Sequence, residues 1–174
     1  LRAEEMLGRW FTDVTGLHVA GEQTLVEHPV DRWMRATVDG FVVEGPNSTP
    51  DMALGVVEFK TTSEPRWDAV PDHYACQATW CLAVTGLPKV WFGVLHIAFG
   101  RPVFAVYEFD RDEDDIEFVV HRCATFWADH VLTGQPPLAD GHPATVDALA
   151  AVYPDAPAGS SVELDALVEV LTAL

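Results

Sequence analysis

The sequence "GVVEFKTT", residues 55–62, has the pattern of a β-strand in the interior of a sheet. Valines and a phenylalanine supply the apolar, strand-forming side chains, and Glu58 and Lys60 interrupt them two positions apart. Because strand side chains alternate between faces, this acid and this amine project from the same side of the sheet. That side is either a solvated face with a charge pair or the floor of an active site.

The elements around this strand indicate an α/β or α+β fold, with a mixed central β-sheet flanked by helices. Residues 1–137 are predicted to form one folded domain. The acidic, Pro/Ala-rich segment 138–174 is predicted to be a C-terminal extension of peripheral helices and loops. The predicted elements, in chain order, are a helix at 2–15, short strands on either side of Gly21, a strand pair around Asp39-Gly40, the strand 55–62, a helix at 71–86, a hairpin around 100–102 and a helix at 111–134.

The composition describes a globular protein without a membrane segment. Of the 174 residues 49% are hydrophobic, yet no apolar run approaches the roughly 20 residues that span a bilayer. The first residues, "LRAEEMLGRW", have an amphipathic helix pattern rather than that of a signal peptide, and the missing initiator Met predicts a chain trimmed at its N-terminus. The three scattered cysteines are expected to be buried, reduced thiols in a cytoplasmic protein.

The net charge of −17 counts against non-specific binding to DNA, because a broad electrostatic footprint requires a basic surface. The charge is distributed unevenly, because most of the ten Lys and Arg residues lie in the first hundred positions and none follows Arg122. Any contact with nucleic acid is therefore expected in the first hundred residues. The acidity does not exclude a metal-dependent site.

Asp39, at the end of one predicted strand, joins Glu58 and Lys60 in a set of residue types that metal-dependent phosphodiester cleavage requires. Carboxylates hold Mg²⁺ or Mn²⁺ through oxygen ligands, and the Phe59 carbonyl offers a further oxygen between the two side chains. The ion lowers the pKa of an attacking water, and a lysine orients that water or stabilises the developing anion. Alone, this spacing is weak evidence, because a Glu/Lys pair on a strand is usually a solvated face.

The surrounding motifs strengthen the catalytic interpretation. "RATVDGFV", "GVVEFKTT", "YACQATWCLAVTG" with "VWFGVL" after it, and "YEFDRDEDDIEFVVHRCATFW" follow one another in this order. In this series the chain resembles the PD-(D/E)XK nucleases, and within them the lambda-exonuclease or YqaJ-type viral recombinase family. The resemblance covers roughly residues 4–137 and implies a restriction-endonuclease-like core.

The resemblance also implies roles for individual residues. Asp39 and Glu58 match the metal-binding carboxylates of the family, Lys60 matches its catalytic lysine, and Gln77 matches a glutamine on the helix after the motif strand. The family carries a further Glu on its first helix, twelve residues before a Gly. Glu4 stands twelve residues before a glycine here and is the better match, with Glu5 as the fallback.

The candidate substrate-binding residues rest on their position in the sequence and not on a matching motif. Arg32, Arg35 and Arg66 flank the predicted site in sequence and could bind phosphates, and Trp33 or Trp67, if exposed, could stack on bases. For each of them a packing or solvent role is the more common outcome.

An additional acidic residue of several relatives has no certain counterpart. Glu27, His28 and Asp31 are the candidates here, and His28 is either a site histidine or a structural residue. His96, on an apolar strand pattern, is expected to be a core histidine with satisfied hydrogen bonds.

The predicted function is a Mg²⁺- or Mn²⁺-dependent DNA exonuclease of the phage recombination type. The resemblance implies 5′-to-3′ attack on double-stranded DNA ends, a single-strand-annealing recombinase partner and a trimeric homo-oligomer. One alternative is a RecB-like nuclease of another DNA-processing pathway, although the iron–sulfur kind needs four cysteines and the chain has three. The other is a catalytically weak nuclease fold that serves as a DNA- or protein-binding scaffold.

Overall fold

The computed structural model describes residues 2–152, with side chains from Glu4 onwards. Residues 2–129 form one compact unit, and residues 130–152 belong to a second. The helices are Arg2–Thr15 (α1), Asp72–Thr85 (α2), Glu113–Phe126 (α3) and Pro143–Val152 (α4), with a 3₁₀ turn at Pro50–Met52 and a π-helical turn at Trp127–Val131. The strands are His18–Ala20 (β1), Thr24–Glu27 (β2), Arg35–Val38 (β3), Gly40–Val43 (β4), Gly55–Thr62 (β5), Lys89–Ala98 (β6) and Arg101–Asp110 (β7).

A five-stranded mixed sheet in the order β1-β4-β5-β6-β7 forms the centre of the first unit, and β2 and β3 pair in a small second sheet. Strand β5 is antiparallel to β4 and parallel to β6, and every other pairing is antiparallel. Parallel neighbours cannot be joined by a tight turn, and α2 makes the crossover from β5 to β6. The predicted mixed sheet with flanking helices is confirmed.

The two faces of the sheet are covered by different elements. Val56 belongs to a core with residues of α2, such as Leu82, whereas Val57 belongs to a core with Phe11 of α1. This separation follows from the alternation of strand side chains. Glu58 and Lys60 therefore lie on the α2 side of β5, and Phe59 faces α1.

Helix α2 has the boundaries that its sequence predicts. Pro71 precedes its first turn, and Gly86 ends it with φ 71° and an N–H that donates to the Leu82 carbonyl. At the start of β5, Gly55 permits a close backbone approach, because a Cβ there would lie 2.3 Å from the Lys89 carbonyl oxygen. A side chain at this position would push the start of β5 away from β6.

The burial of the cysteines and the length of the last long helix differ from what the sequence predicts. Cys81 is buried as expected, but Cys76 is exposed and Cys123 is half-buried. The expected helix over 111–134 is shorter, because α3 ends at Phe126 and continues as the π-helical turn. Within residues 2–152 no helix has the length and apolar character needed to cross a membrane.

Candidate active site

Three of the predicted residues, Glu58, Lys60 and Gln77, form a hydrogen-bonded triangle between β5 and α2. Lys60 Nζ donates to Glu58 Oε2 and to Gln77 Oε1, both at 3.0 Å. Gln77 Nε2 donates to the same Glu58 Oε2 at 2.8 Å. The amide thus holds the carboxylate and the amine together, so each polar group in the triangle has a defined orientation.

Asp39 joins this group from the neighbouring strand. The register that pairs Gly40 with Val57 brings Asp39 beside Glu58. Its Oδ2 accepts a 2.7 Å hydrogen bond from the Phe59 backbone N–H. Asp39 is consequently held against the middle of β5, where its charge acts on Glu58.

The electrostatics of the two carboxylates favour a bound cation. Glu58 is only 1% exposed. Its pKa is raised above 4.5, first by burial and then by the charge of Asp39, and the opposing effects of Lys60 and Gln77 do not offset this. Two carboxylates thus face one amine, and a divalent cation would relieve their repulsion.

The donor set fits Mg²⁺ or Mn²⁺ held by Asp39 and Glu58. Carboxylate oxygens are the ligands that these hard cations prefer, and Mg²⁺ commonly uses one or two carboxylates and keeps several waters. Within the described part of the chain, no group of three or more His, Cys, Asp or Glu side chains is arranged to hold a metal. Ligation by Asp39 and Glu58, by the Phe59 carbonyl and by Glu4 stays a prediction.

Gln23 is a site residue that the sequence did not indicate. Its Nε2 donates to Asp39 Oδ1 at 3.0 Å and to Glu4 Oε2 at 3.4 Å. Gln23 therefore connects Glu4, the α1 residue that the resemblance indicates, to Asp39. Gln23 has φ 52°, and its backbone N–H donates to the Asp39 carbonyl at 3.2 Å. The turn at Gly21 was the available signal. Glu5, the fallback, lies at the surface with its side chain 2.6 Å from Arg9.

Two further side chains of α2 surround the triangle. The Tyr74 ring lies under Lys60, with 5.3 Å between Nζ and the ring centroid. Cys81 Sγ lies 4.0 Å from Glu58 Oε1. Burial, aided by the charge of Glu58, raises the pKa of Cys81 to about 12. Its thiol is therefore neutral at physiological pH and packs against the carboxylate rather than acting as a nucleophile.

The candidates around His28 make their contacts within the β2–β3 hairpin. Arg32 and Arg35 both pair with Glu27, each at 2.7 Å. His28 Nδ1 accepts the backbone N–H of Asp31 at 2.9 Å, which stabilises the turn. Among the described residues these side chains form no contact with the triangle, so their proposed role with substrate gains no geometric support.

The two tryptophans that could stack on bases if exposed are packed against other aromatic rings. Trp33 stacks on Trp127, with 5.4 Å between ring centroids. Trp67 lies in an aromatic cluster, 5.0 Å from Tyr107 and 5.3 Å from His96.

His96 belongs to the same cluster and is the core histidine that the sequence indicates. It is buried, and its ring nitrogens lie 3.1 Å from the Glu64 carbonyl oxygen and 3.0 Å from the Tyr107 hydroxyl. Arg66, in contrast, is exposed and donates to the Phe104 carbonyl at 3.3 Å.

The site lies within a recognisable sequence domain. Residues 2–88 match the YqaJ-like viral recombinase domain, which is 87 of the 174 residues and includes the triangle, Asp39 and Gln23. The chain belongs to the YqaJ-like viral recombinase domain family. This confirms the family resemblance that the order of the motifs indicates.

Relatives of this YqaJ-like domain extend the comparison. This chain is 28% identical over 170 residues to the uncharacterized protein YqaJ of Bacillus subtilis (strain 168). The aligned region covers 94% of this chain and 50% of that protein. The chain therefore spans about half the length of the curated relative it matches. Its fold is similar to that of an alkaline exonuclease, LHK-Exo, from Laribacter hongkongensis, with a TM-score of 0.56 and 20% identity over 74% of this chain and 64% of that one. LHK-Exo in complex with dAMP gives a TM-score of 0.52 and 17% identity at the same coverage.

Glu58→Gln is expected to stabilise the metal-free YqaJ-like domain at alkaline pH. Because the folded pKa of Glu58 is raised, stability falls as pH rises from about 4.5 through the folded pKa, and it stays lower above that pH. The neutral amide removes this loss. In EDTA, the Tm advantage of the variant should be largest near pH 8 and disappear near pH 4.

Glu117→Gln is the matched control, since it removes one exposed carboxylate of α3. The gain for Glu58→Gln should exceed the gain for this control. An equal gain, or the same Tm difference at both pH values, would contradict the electrostatic account of the buried carboxylate.

Proposed function

We propose that this chain is a Mg²⁺- or Mn²⁺-dependent deoxyribonuclease that degrades duplex DNA from its ends. The observation that carries the proposal is the arrangement of Asp39, Glu58, Lys60 and Gln77, in which two carboxylates lie beside an amine fixed by an amide. A divalent ion held by the carboxylates would lower the pKa of an attacking water and neutralise the charge that develops on the phosphate and on the departing sugar oxygen.

The side chains of the chain have distinct parts in this reaction. Asp39 and Glu58 would hold the cation. Lys60 presents a localised positive charge to the water or to the phosphate oxygens, where charge develops during cleavage. Gln77 orients both side chains, because its amide N–H donates to Glu58 and its amide oxygen accepts from Lys60. Gln23 holds Asp39 from the opposite side.

The 5′-to-3′ direction of degradation is supported by the family resemblance. The same support extends to a trimeric assembly and to a single-strand-annealing recombinase as partner. A cytoplasmic location is also proposed, since the three cysteines are free thiols, which suits a reducing compartment.

A degradation assay on linear and closed circular duplex DNA tests this function. With Mg²⁺ the purified protein should shorten linear DNA from its 5′ ends, leave the closed circle intact and stop in EDTA. Labels at the 5′ or 3′ terminus separate the two polarities. Equal cleavage of the circle would replace the exonuclease with an endonuclease, and no cleavage with either metal would favour a binding scaffold.

A further inference from the structure

The hairpin between β6 and β7 ends in a two-residue turn that begins with an exposed phenylalanine. Ala98 pairs with Arg101, so the turn consists of Phe99 and Gly100, with φ values of 52° and 72°. Hairpin turns with two positive φ values favour Asn-Gly or Asp-Gly, and a bulky side chain is strained there. Phe99 is 98% exposed, so burial within the domain does not offset that strain. Because the strained backbone at Phe99 lowers stability without a compensating contact among the described residues, we expect a functional role for this residue.

A cavity of about 570 Å³ lies at the base of this turn, and its charged lining is purely basic. Arg66 and Arg101 line it together with Phe99 and apolar or aromatic neighbours, and no carboxylate contributes. Within the described part of the chain neither arginine forms an ion pair with an acid. Most other Lys and Arg side chains there are paired with Glu or Asp. In a chain of net charge −17, two arginines without a described carboxylate partner in one cavity favour an anion there.

We infer that this cavity and the hairpin tip bind the single-stranded part of a nucleic acid substrate. Arg66 and Arg101 bind backbone phosphates, and the Phe99 ring stacks on an adjacent unpaired base. Charged grooves combined with aromatic rings are the usual means of binding single strands, since every base has a face for stacking. The inference rests on the proposed function, because it assigns the hairpin to the same substrate.

The hairpin lies within reach of DNA at the carboxylate site. Lys60 pairs in register with Val94 on β6, and Phe99 follows five residues later. At ~3.3 Å per residue the separation along the strand is about 17 Å. That is roughly the rise of five nucleotides at ~3.4 Å each along a DNA strand. A strand bound at Glu58 and Lys60 can therefore extend to the tip.

Phe99→Asn tests the stacking contact without harming the fold, because Asn suits the turn better than Phe. The Kd for a duplex with a single-stranded overhang, measured by fluorescence anisotropy in EDTA, should rise about five- to a hundred-fold. The Tm should stay the same or rise. Phe118→Gln is the control, since it removes another exposed ring from α3 and should leave the Kd unchanged.

Arg101→Gln and Arg66→Gln test the phosphate contacts. Each should weaken binding and reduce the slope of log Kd against log salt by about 0.7, the value for one lost contact to single-stranded DNA. Arg122→Gln removes the same charge from α3 outside the cavity and should leave the slope unchanged.

The outcomes separate this inference from the proposed function. If the unmodified protein degrades DNA but Phe99→Asn and Arg101→Gln bind it normally, the hairpin inference is overturned and the nuclease proposal stands. If the unmodified protein cleaves nothing but the variants lose binding, the hairpin contact is supported and the nuclease proposal fails. If Phe99→Asn changes the sedimentation of the protein but not its affinity for DNA, the tip contacts another copy of the chain and the inference is overturned.

Discussion

Lys60→Ala is expected to lower the rate of DNA degradation at saturating Mg²⁺ by about 100- to 1000-fold, the usual cost of losing one group that stabilises charge in the transition state. Lys60 Nζ lies 3.0 Å from both Glu58 Oε2 and Gln77 Oε1, which fix its charge beside the carboxylate. The measurement is the initial rate on end-labelled linear duplex, with far-UV circular dichroism to verify folding.

Lys89→Ala is the matched control for this variant. Lys89 also lies on the central sheet and bonds two carboxylates, Glu108 and Asp110, but these are outside the triangle. Its removal should leave the rate unchanged. Lys60→Met, which keeps an apolar stem over Tyr74, guards against a loss that comes from misfolding. A rate equal to that of the unmodified protein in either Lys60 variant would refute the assigned role.

Asp39→Asn is expected to abolish stabilisation of the protein by Mg²⁺. A ligand that binds the folded state at a hundred times its Kd adds about 2.7 kcal/mol, which corresponds to about 5–10 °C in Tm for a domain of this size. Asn can still accept the hydrogen bond from Phe59 N–H, so the fold should persist while one anionic ligand is lost. Thermal unfolding with and without Mg²⁺ measures the effect independently of cleavage.

Asp68→Asn, at an exposed loop position, is the control for the loss of one negative charge and should retain the full Mg²⁺ shift. The rate of DNA degradation should fall in Asp39→Asn in parallel with the shift. An undiminished Mg²⁺ shift in this variant would place the cation elsewhere and remove Asp39 from the site.

The parts of the site that sequence reasoning anticipated depend on local periodicity and ordered motifs. The two-residue spacing of Glu58 and Lys60 places both on one face of a strand, and the structure shows that face turned towards α2. Gln77 was indicated by the family resemblance, and its position on α2 brings it to both residues. Pro71 and Gly86 marked the ends of that helix.

Other features escaped prediction because they depend on contacts between distant segments. Gln23 contacts Asp39 because the turn before it has a positive-φ backbone conformation that no sequence motif indicates. Arg32 and Arg35 could have been phosphate ligands by their position in the sequence, and the structure pairs both with Glu27. Trp33 and Trp67 have partners from distant elements, which are invisible to local patterns.

The sequence by itself determined that a strand carries an acid and an amine on one face, with a helix after it and an Asp at the end of an earlier strand. These features follow from residue spacing and from turn residues, which act over a few positions. Only the tertiary structure decided that this face is closed by α2 rather than open to water. Helix α2 makes the crossover between the parallel strands β5 and β6 and places Gln77 on Glu58 and Lys60, and burial there raises the pKa of Glu58.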